Sequence, residues 1–256
     1  MSKIVSIHSF RGGTGKSNIT ANLATTIALQ GKRVGVVDTD IASPGIHVLF
    51  GLDEVRMDKA LNDYLWGKCA VEEAAYDMSS SLKVGKGDVT LIGGDVYLIP
   101  SSIRAREISR VLKQGYNVEM LNDGLRELIK KLRLDYLFID THPGLNEETL
   151  LSIAMSDFLL IILRLDQQDF QGTAVTLEVS RKLGVPKIFL VVNKVLTEFN
   201  LAEVKKRVAD TYDCEVASVL PLSEDMIRLG SAGIFSLRFP QHPLTQAIKE
   251  IAAKLE

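Results

Sequence analysis

The chain has 256 residues, 46% of them hydrophobic and 24% charged, with a formal net charge of −2 at pH 7. That is long enough to bury a sizeable core, in the proportions of an ordinary globular protein, and the near-neutral balance demands neither nucleic acid nor an anionic membrane as partner, although it permits a local basic patch. The longest apolar run, residues 158–163, stops at Arg164 and is far too short to span a bilayer.

The chain enters an apolar strand at residues 4–8 (IVSIH) with no leader ahead of it, so a cytoplasmic protein is expected. FRGGTGKSN follows at residues 10–18, and a helix is predicted over 16–31, with apolar residues at helical spacing and a terminal Gly31. Glycines here let the backbone turn tightly, so that successive N–H groups point at phosphate oxygens beside a positive helix end. Gly12, Gly13, Thr14, Gly15, Lys16, Ser17 and Asn18 would form that cradle, with Lys16 on the β- and γ-phosphates and the Ser17 hydroxyl on Mg²⁺. The usual G-x-x-x-x-G-K-[ST] spacing would put its first glycine at position 10, where this chain has Phe10, and Arg11 precedes the glycine pair.

The next strand, residues 33–38, ends in VVDTD, placing Asp38 and Asp40 at a carboxyl edge, where open α/β sheets bind ligands. One of the pair would hold a metal-bound water and the other would orient an attacking water. Residues 54–100 fit the pattern less well: a short helix at 58–67 and two short strand candidates within 79–100 read as an elaboration of the same domain. A helix at 117–133 leads to the strand YLFID at 136–140. Asp140 there has the form of a Mg²⁺-binding aspartate, and the loop Thr141, His142, Pro143, Gly144 follows, with the Gly144 amide set to sense a γ-phosphate. Strands at 158–163, 188–193 and 216–221 and a helix at 201–212 complete the alternation. Asn193, at a strand end in VVNK, offers one donor face and one acceptor face, which suits an adenine edge. Strand–helix–strand repetition makes the fold class α/β, a mostly parallel sheet covered by helices on both sides.

FRGGTGKSN, VVDTDIASPG, FIDTHPG, VVNK and VLPLSEDMIRLGSAGIF together resemble the deviant-Walker P-loop ATPases of the MinD/ParA family, over nearly the whole chain. The likeness is nearer the MinD branch, because the chain starts directly at its first strand. The resemblance implies one domain over residues 1–256: a three-layer, mostly parallel twisted sheet flanked by helices, a P-loop NTPase of SIMIBI type. It implies ATP and ADP with Mg²⁺ as ligands and a homodimer that sandwiches two nucleotides. It also implies slow hydrolysis, stimulated by an activator or adaptor protein, that controls the positioning or partition of a cargo or a partner.

Carried onto this chain, the resemblance puts Lys16 and Ser17 on phosphate and metal. Asp38 and Asp140 fall on metal waters, and Asp40 on the hydrolytic water. Thr141, Pro143 and Gly144 form a switch loop. Asn193 reads adenine, with Pro221, Leu222 and Ser223 closing over the base, and Asp166 lies near the nucleotide or the dimer face. Arg11 stands where the family has its signature lysine. It either acts as an arginine finger in the facing subunit or forms a local ion pair, and Phe10 either packs on that subunit or fills space beside the first strand.

The alternative in a different class is a nucleotide-dependent adaptor with little hydrolysis. An iron–sulfur reductase of the same fold is excluded, because Cys69 and Cys214 are far apart and neither is near the Asp140 loop. The basic runs at 130–133 and 205–207 read mainly as solvated helix faces, leaving nonspecific DNA binding weakly supported. Leu244, Ile248, Ile251 and Leu255 at helical spacing make the last segment a core helix, with no autonomous membrane binding expected.

Overall fold

The computed structural model describes residues 2–82 and 93–256. In chain order the elements are β1 (Lys3–His8), α1 (Lys16–Leu29), β2 (Val34–Asp38), α2 (Ile46–Leu49), α3 (Leu61–Leu65), β3 (Tyr76–Asp77), β4 (Val96–Ile99), α4 (Ala105–Gln114), α5 (Val118–Lys131) and β5 (Tyr136–Asp140). They continue as α6 (Glu147–Ala154), β6 (Phe158–Leu163), α7 (Gln167–Lys182), β7 (Lys187–Val195), α8 (Leu201–Tyr212), β8 (Val216–Pro221), α9 (Glu224–Leu229), α10 (Phe235–Arg238) and α11 (Pro243–Ala253).

The strands form one sheet in the order β3-β4-β2-β5-β1-β6-β7-β8. All neighbours are parallel except β3, which runs antiparallel to β4. The interior strands are apolar throughout because both their faces are covered. Their period-two alternation divides each strand between two cores. Tyr136 and Phe138 of β5, with Phe158, Leu160 and Ile162 of β6, pack with α1, α10 and α11. Leu137 and Ile139 join α3 and α5, and Leu159, Ile161 and Leu163 join α6, α7 and α8. This is the three-layer α/β sandwich that the sequence predicts.

The elaboration expected at 54–100 contributes β3 and β4 to the edge of this same sheet. Part of it, residues 83–92, lies outside the described residues. α11 is a core helix: Leu244, Ile248, Ile251 and Leu255 are all buried against α1 and β8. Among the described residues no helix is long and apolar enough to cross a membrane.

β1 lies between β5 and β6, and the helices that follow β1 and β5, α1 and α6, lie on opposite faces of the sheet, which opens a crevice at the carboxyl ends of β1, β2 and β5. The predicted phosphate loop falls in that crevice.

Candidate nucleotide-binding site

The loop after β1 turns sharply into α1, and Gly15 caps the helix in the left-handed region, with φ 99°. No side chain is tolerated there, since a Cβ would stand 2.6 Å from Asn193 Nδ2. Lys16 begins the helix and is buried beside the loop, only 8% exposed. The α1 N-terminus has no acidic residue in its first turn and no side-chain cap, so its amides and dipole stay open to an anion.

Below the loop, Asp38 and Asp140 are register partners at the ends of β2 and β5. They share strand faces with Val36 and Phe138, so both carboxylates lie on the α1 side of the sheet. Both are essentially buried, at 0% and 2% exposure. Asp38 accepts hydrogen bonds from the Asp40 amide (3.0 Å) and the Gly45 amide (3.1 Å). The Thr20 hydroxyl lies 3.4 Å from Asp140 Oδ1, and the Ser17 side chain also favours the Asp140 carboxylate. Burial raises both acids above the usual carboxylate range: Asp38 strongly, with the Asp140 charge adding to the effect, and Asp140 to about 6, offset in part by Ser17 and Lys16. Two desolvated carboxyls beside a single buried lysine favour a bound cation. Among the described residues no cluster of three or more His, Cys, Asp and Glu could hold a metal by itself. The donor set, a serine hydroxyl and two carboxylates next to a phosphate cradle, therefore fits a Mg²⁺ that arrives with its own waters and phosphate oxygens.

Asp40 projects beyond this pair. One of its oxygens accepts the Ser43 amide at 3.1 Å and lies 3.4 Å from His142 Nδ1. Burial raises its pKa, and His142 and Lys16 pull against that. In the loop after β5, the Thr141 hydroxyl donates to Ile7 O at 3.0 Å and so receives the Nδ1 proton of His8 at 2.8 Å. Burial, with Lys16 and His142 adding to it, lowers the His8 pKa to about 3, so the ring stays neutral. Sequence reasoning passed over His8, because a histidine inside an apolar strand gives no motif signal. The Gly144 amide, expected at the γ-phosphate, donates instead to Ser9 O at 3.2 Å. The loop after β5 is thus tied to the segment that leaves β1.

A cavity of about 300 Å³ opens beside Gly15 and Asn18. Asn193, Pro221, Leu222 and Ser223, predicted from separate strand ends, all line it. Met226, Ile227, Leu244 and Ile248 supply apolar wall that the sequence did not announce, because α9 and α11 reach the pocket only through the fold. Asn193 is already engaged: its amide donates to Thr14 O at 2.7 Å, and its oxygen accepts the Lys194 amide at 2.9 Å.

Phe10 does not lie free. Its ring rests on Gly172 of α7, where a Cβ would stand 2.2 Å from it. Arg11 is 43% exposed and lies 3.7 Å from Asp166 and 3.9 Å from Asp169, beyond hydrogen-bond range. Asp166 caps α7 by accepting the Asp169 amide at 2.9 Å, and Arg164 holds Asp169 through its guanidinium at 2.8 and 3.3 Å and its amide at 3.0 Å.

A family model described as an AAA domain matches residues 2–187. An uncharacterized ATP-binding protein of Methanocaldococcus jannaschii is 28% identical over 258 residues, covering 100% of this chain and 88% of that protein. The septum site-determining protein MinD of Thermotoga maritima is 25% identical over 248 residues, covering 91% of this chain and 80% of the relative. Among solved structures, the septum site-determining protein MinD of Pyrococcus horikoshii, complexed with Mg-ADP, superposes with a TM-score of 0.80 at 22% identity, covering 100% of this chain and 96% of that one. The chain belongs to this AAA-domain family of P-loop proteins, among the MinD/ParA-type ATPases.

Proposed function

We propose that this chain binds ATP with Mg²⁺ and acts as an ATP-driven dimerising switch, hydrolysing ATP slowly to ADP to control the placement of a cargo or the state of a partner protein. The observation that carries this reading is the stacking of an open helix N-terminus with buried Lys16 directly over the Asp38–Asp140 pair, next to a base-sized cavity. The Mg-ADP complex of the P. horikoshii protein supports the choice of ligand.

The phosphates would rest on the amides of Gly12, Gly13, Thr14, Gly15, Lys16, Ser17 and Asn18, with Lys16 neutralising the terminal pair. Ser17, Asp38 and Asp140 would hold the Mg²⁺, which when bound neutralises charge on the phosphate oxygens. Asp40, at the rim of the site, orients the attacking water. Thr141, Pro143 and Gly144 form the switch: Gly144 must leave Ser9 O before its amide is free for a γ-phosphate. Asn193 and the backbone of Pro221, Leu222 and Ser223 enclose the base. Arg11, exposed and only loosely paired, supplies a guanidinium to the nucleotide of the facing subunit. A second protein would accelerate turnover. The chain would work in the cytoplasm without binding membranes by itself, as the buried apolar stripe of α11 supports. Any DNA binding would be nonspecific, salt-sensitive and weak.

The test is steady-state turnover beside nucleotide affinity. Asp40→Ala should keep ATP binding and lose about a hundredfold in turnover, whereas Lys16→Ala should lose ATP itself. Unchanged turnover in Asp40→Ala rejects the hydrolytic assignment. Tight ATP binding by the wild-type chain with no turnover, even with partner proteins present, would favour the adaptor reading, which the tethered Gly144 amide and the arginine at position 11 support.

A further inference from the structure

The sequence expects Asn193 to read the base. Its contacts point elsewhere. In a phosphate loop the amides turn toward the anion, so the carbonyls turn away and need donors of their own. Three consecutive carbonyls here have them. Gly13 O accepts Lys194 Nζ at 2.8 Å, Thr14 O accepts Asn193 Nδ2 at 2.7 Å, and Gly15 O accepts the Ile19 amide of the first helical turn at 3.0 Å. Two of the three donors are adjacent residues at the end of β7.

Adjacent strand residues ordinarily point to opposite faces. These two reach the same loop because β7 breaks its register with β8 between Val192 and Val195, and because Lys194 adopts φ 59°, a left-handed conformation uncommon outside glycine. The Lys194 amide then closes back on Asn193 Oδ1 at 2.9 Å and fixes which way the asparagine amide faces. The fit is close: Asn193 Nδ2 occupies the space a Cβ on Gly15 would need.

We infer that Asn193 and Lys194 form a brace under the phosphate loop, two positioning residues that hold the Gly13 and Thr14 carbonyls outward and so preset the amides for a polyphosphate, whatever base is attached. The inference rests on the ATP-binding reading above and changes the role of Asn193 within it. A brace and a base reader make different demands. Loss of a brace weakens every ligand that uses the phosphate loop by one common factor. Loss of a reader weakens only the ligand whose base was read.

The experiment is calorimetric titration of the full chain with ATP, GTP and inorganic tripolyphosphate, each with Mg²⁺, for wild type, Asn193→Ala, Lys194→Met and Lys194→Arg. The expected result is a loss of about tenfold in affinity for all three ligands in Asn193→Ala and Lys194→Met. The ratio of ATP to GTP affinity should not change, and Lys194→Arg, which keeps a donor on a long stem, should recover most of the loss. Circular dichroism of each variant identifies any that fails to fold, and Lys194→Met and Lys194→Arg then carry the comparison for Asn193→Ala. The brace is overturned if Asn193→Ala weakens ATP alone, or if Lys194→Met binds all three ligands as wild type does. A wild-type chain that binds neither ATP nor tripolyphosphate removes the nucleotide site itself, a different failure that the same titration identifies.

Discussion

Asp140 is held where a negative charge is costly. Burial raises its pKa from the ordinary 3.8 to about 6, so the folded chain without ligand keeps this proton more tightly than the unfolded chain does. The resulting stabilisation is complete below pH 3.8 and is lost as pH rises through about 6. An asparagine carries no charge to desolvate. Asp140→Asn without nucleotide should therefore be more stable than wild type at pH 7, by on the order of 2–3 kcal/mol, and its urea midpoint should not fall between pH 4 and pH 7 on this account. Urea unfolding of both proteins across that range checks it, and equal stability at pH 7 would contradict the burial argument. The same substitution removes a proposed metal ligand, so the gain in stability should accompany a loss of Mg²⁺-dependent nucleotide binding.

At the scale of elements, α7 anchors the arm that carries Arg11. The Phe10 ring lies against Gly172 of that helix, and there is no space for a methyl group between them. Gly172→Ala should cost about 1–3 kcal/mol through this overlap. Phe10→Ala removes the ring, so the double variant should be less destabilised than the sum of the two singles. Additive losses in chemical denaturation would show that the contact does not matter.

These elements differ in how far the sequence announces them. β5, β6 and β8 are readable residue by residue, because continuous apolar strands between amphipathic helices allow few other readings. α8 is equally plain. β3 has two residues and depends wholly on β4, so it leaves no hydrophobic pattern to read, whereas α4 does carry one, Ile108, Val111 and Leu112 at helical spacing, although none of its side chains is fully buried. Asp38, Asp140, Lys16 and Ser17 are legible because each stands at a strand end or helix start with a local spacing. The apolar wall of the cavity and the His8–Thr141 pair are not, because they are assembled from residues more than a hundred positions apart. The contact of Asn193 with Thr14 is hidden for the same reason: the two residues are 179 positions apart.

For the whole molecule, the account turns on whether ATP joins two copies of the chain. Phe10 and Arg11 sit at the mouth of the site, partly exposed, and Arg11 pairs only at long range with Asp166 and Asp169. Such exposed pairs contribute little, about 0–1 kcal/mol, so a phosphate in a facing subunit can draw the guanidinium away. On the proposed reading Gly144 would likewise exchange Ser9 O for the nucleotide. On that reading both changes would follow from one event, the closing of two nucleotide-loaded faces on each other.

The most direct measurement is light scattering after gel filtration of an Asp40→Ala chain with Mg²⁺ and ATP, with Mg²⁺ and ADP, and with no nucleotide, repeated with Arg11→Ala added. The account predicts a mass near twice 28.2 kDa in ATP alone, and its loss when Arg11 is removed. A mass that stays at 28.2 kDa while ATP is demonstrably bound would contradict the dimerising switch and leave Arg11 with a purely local role.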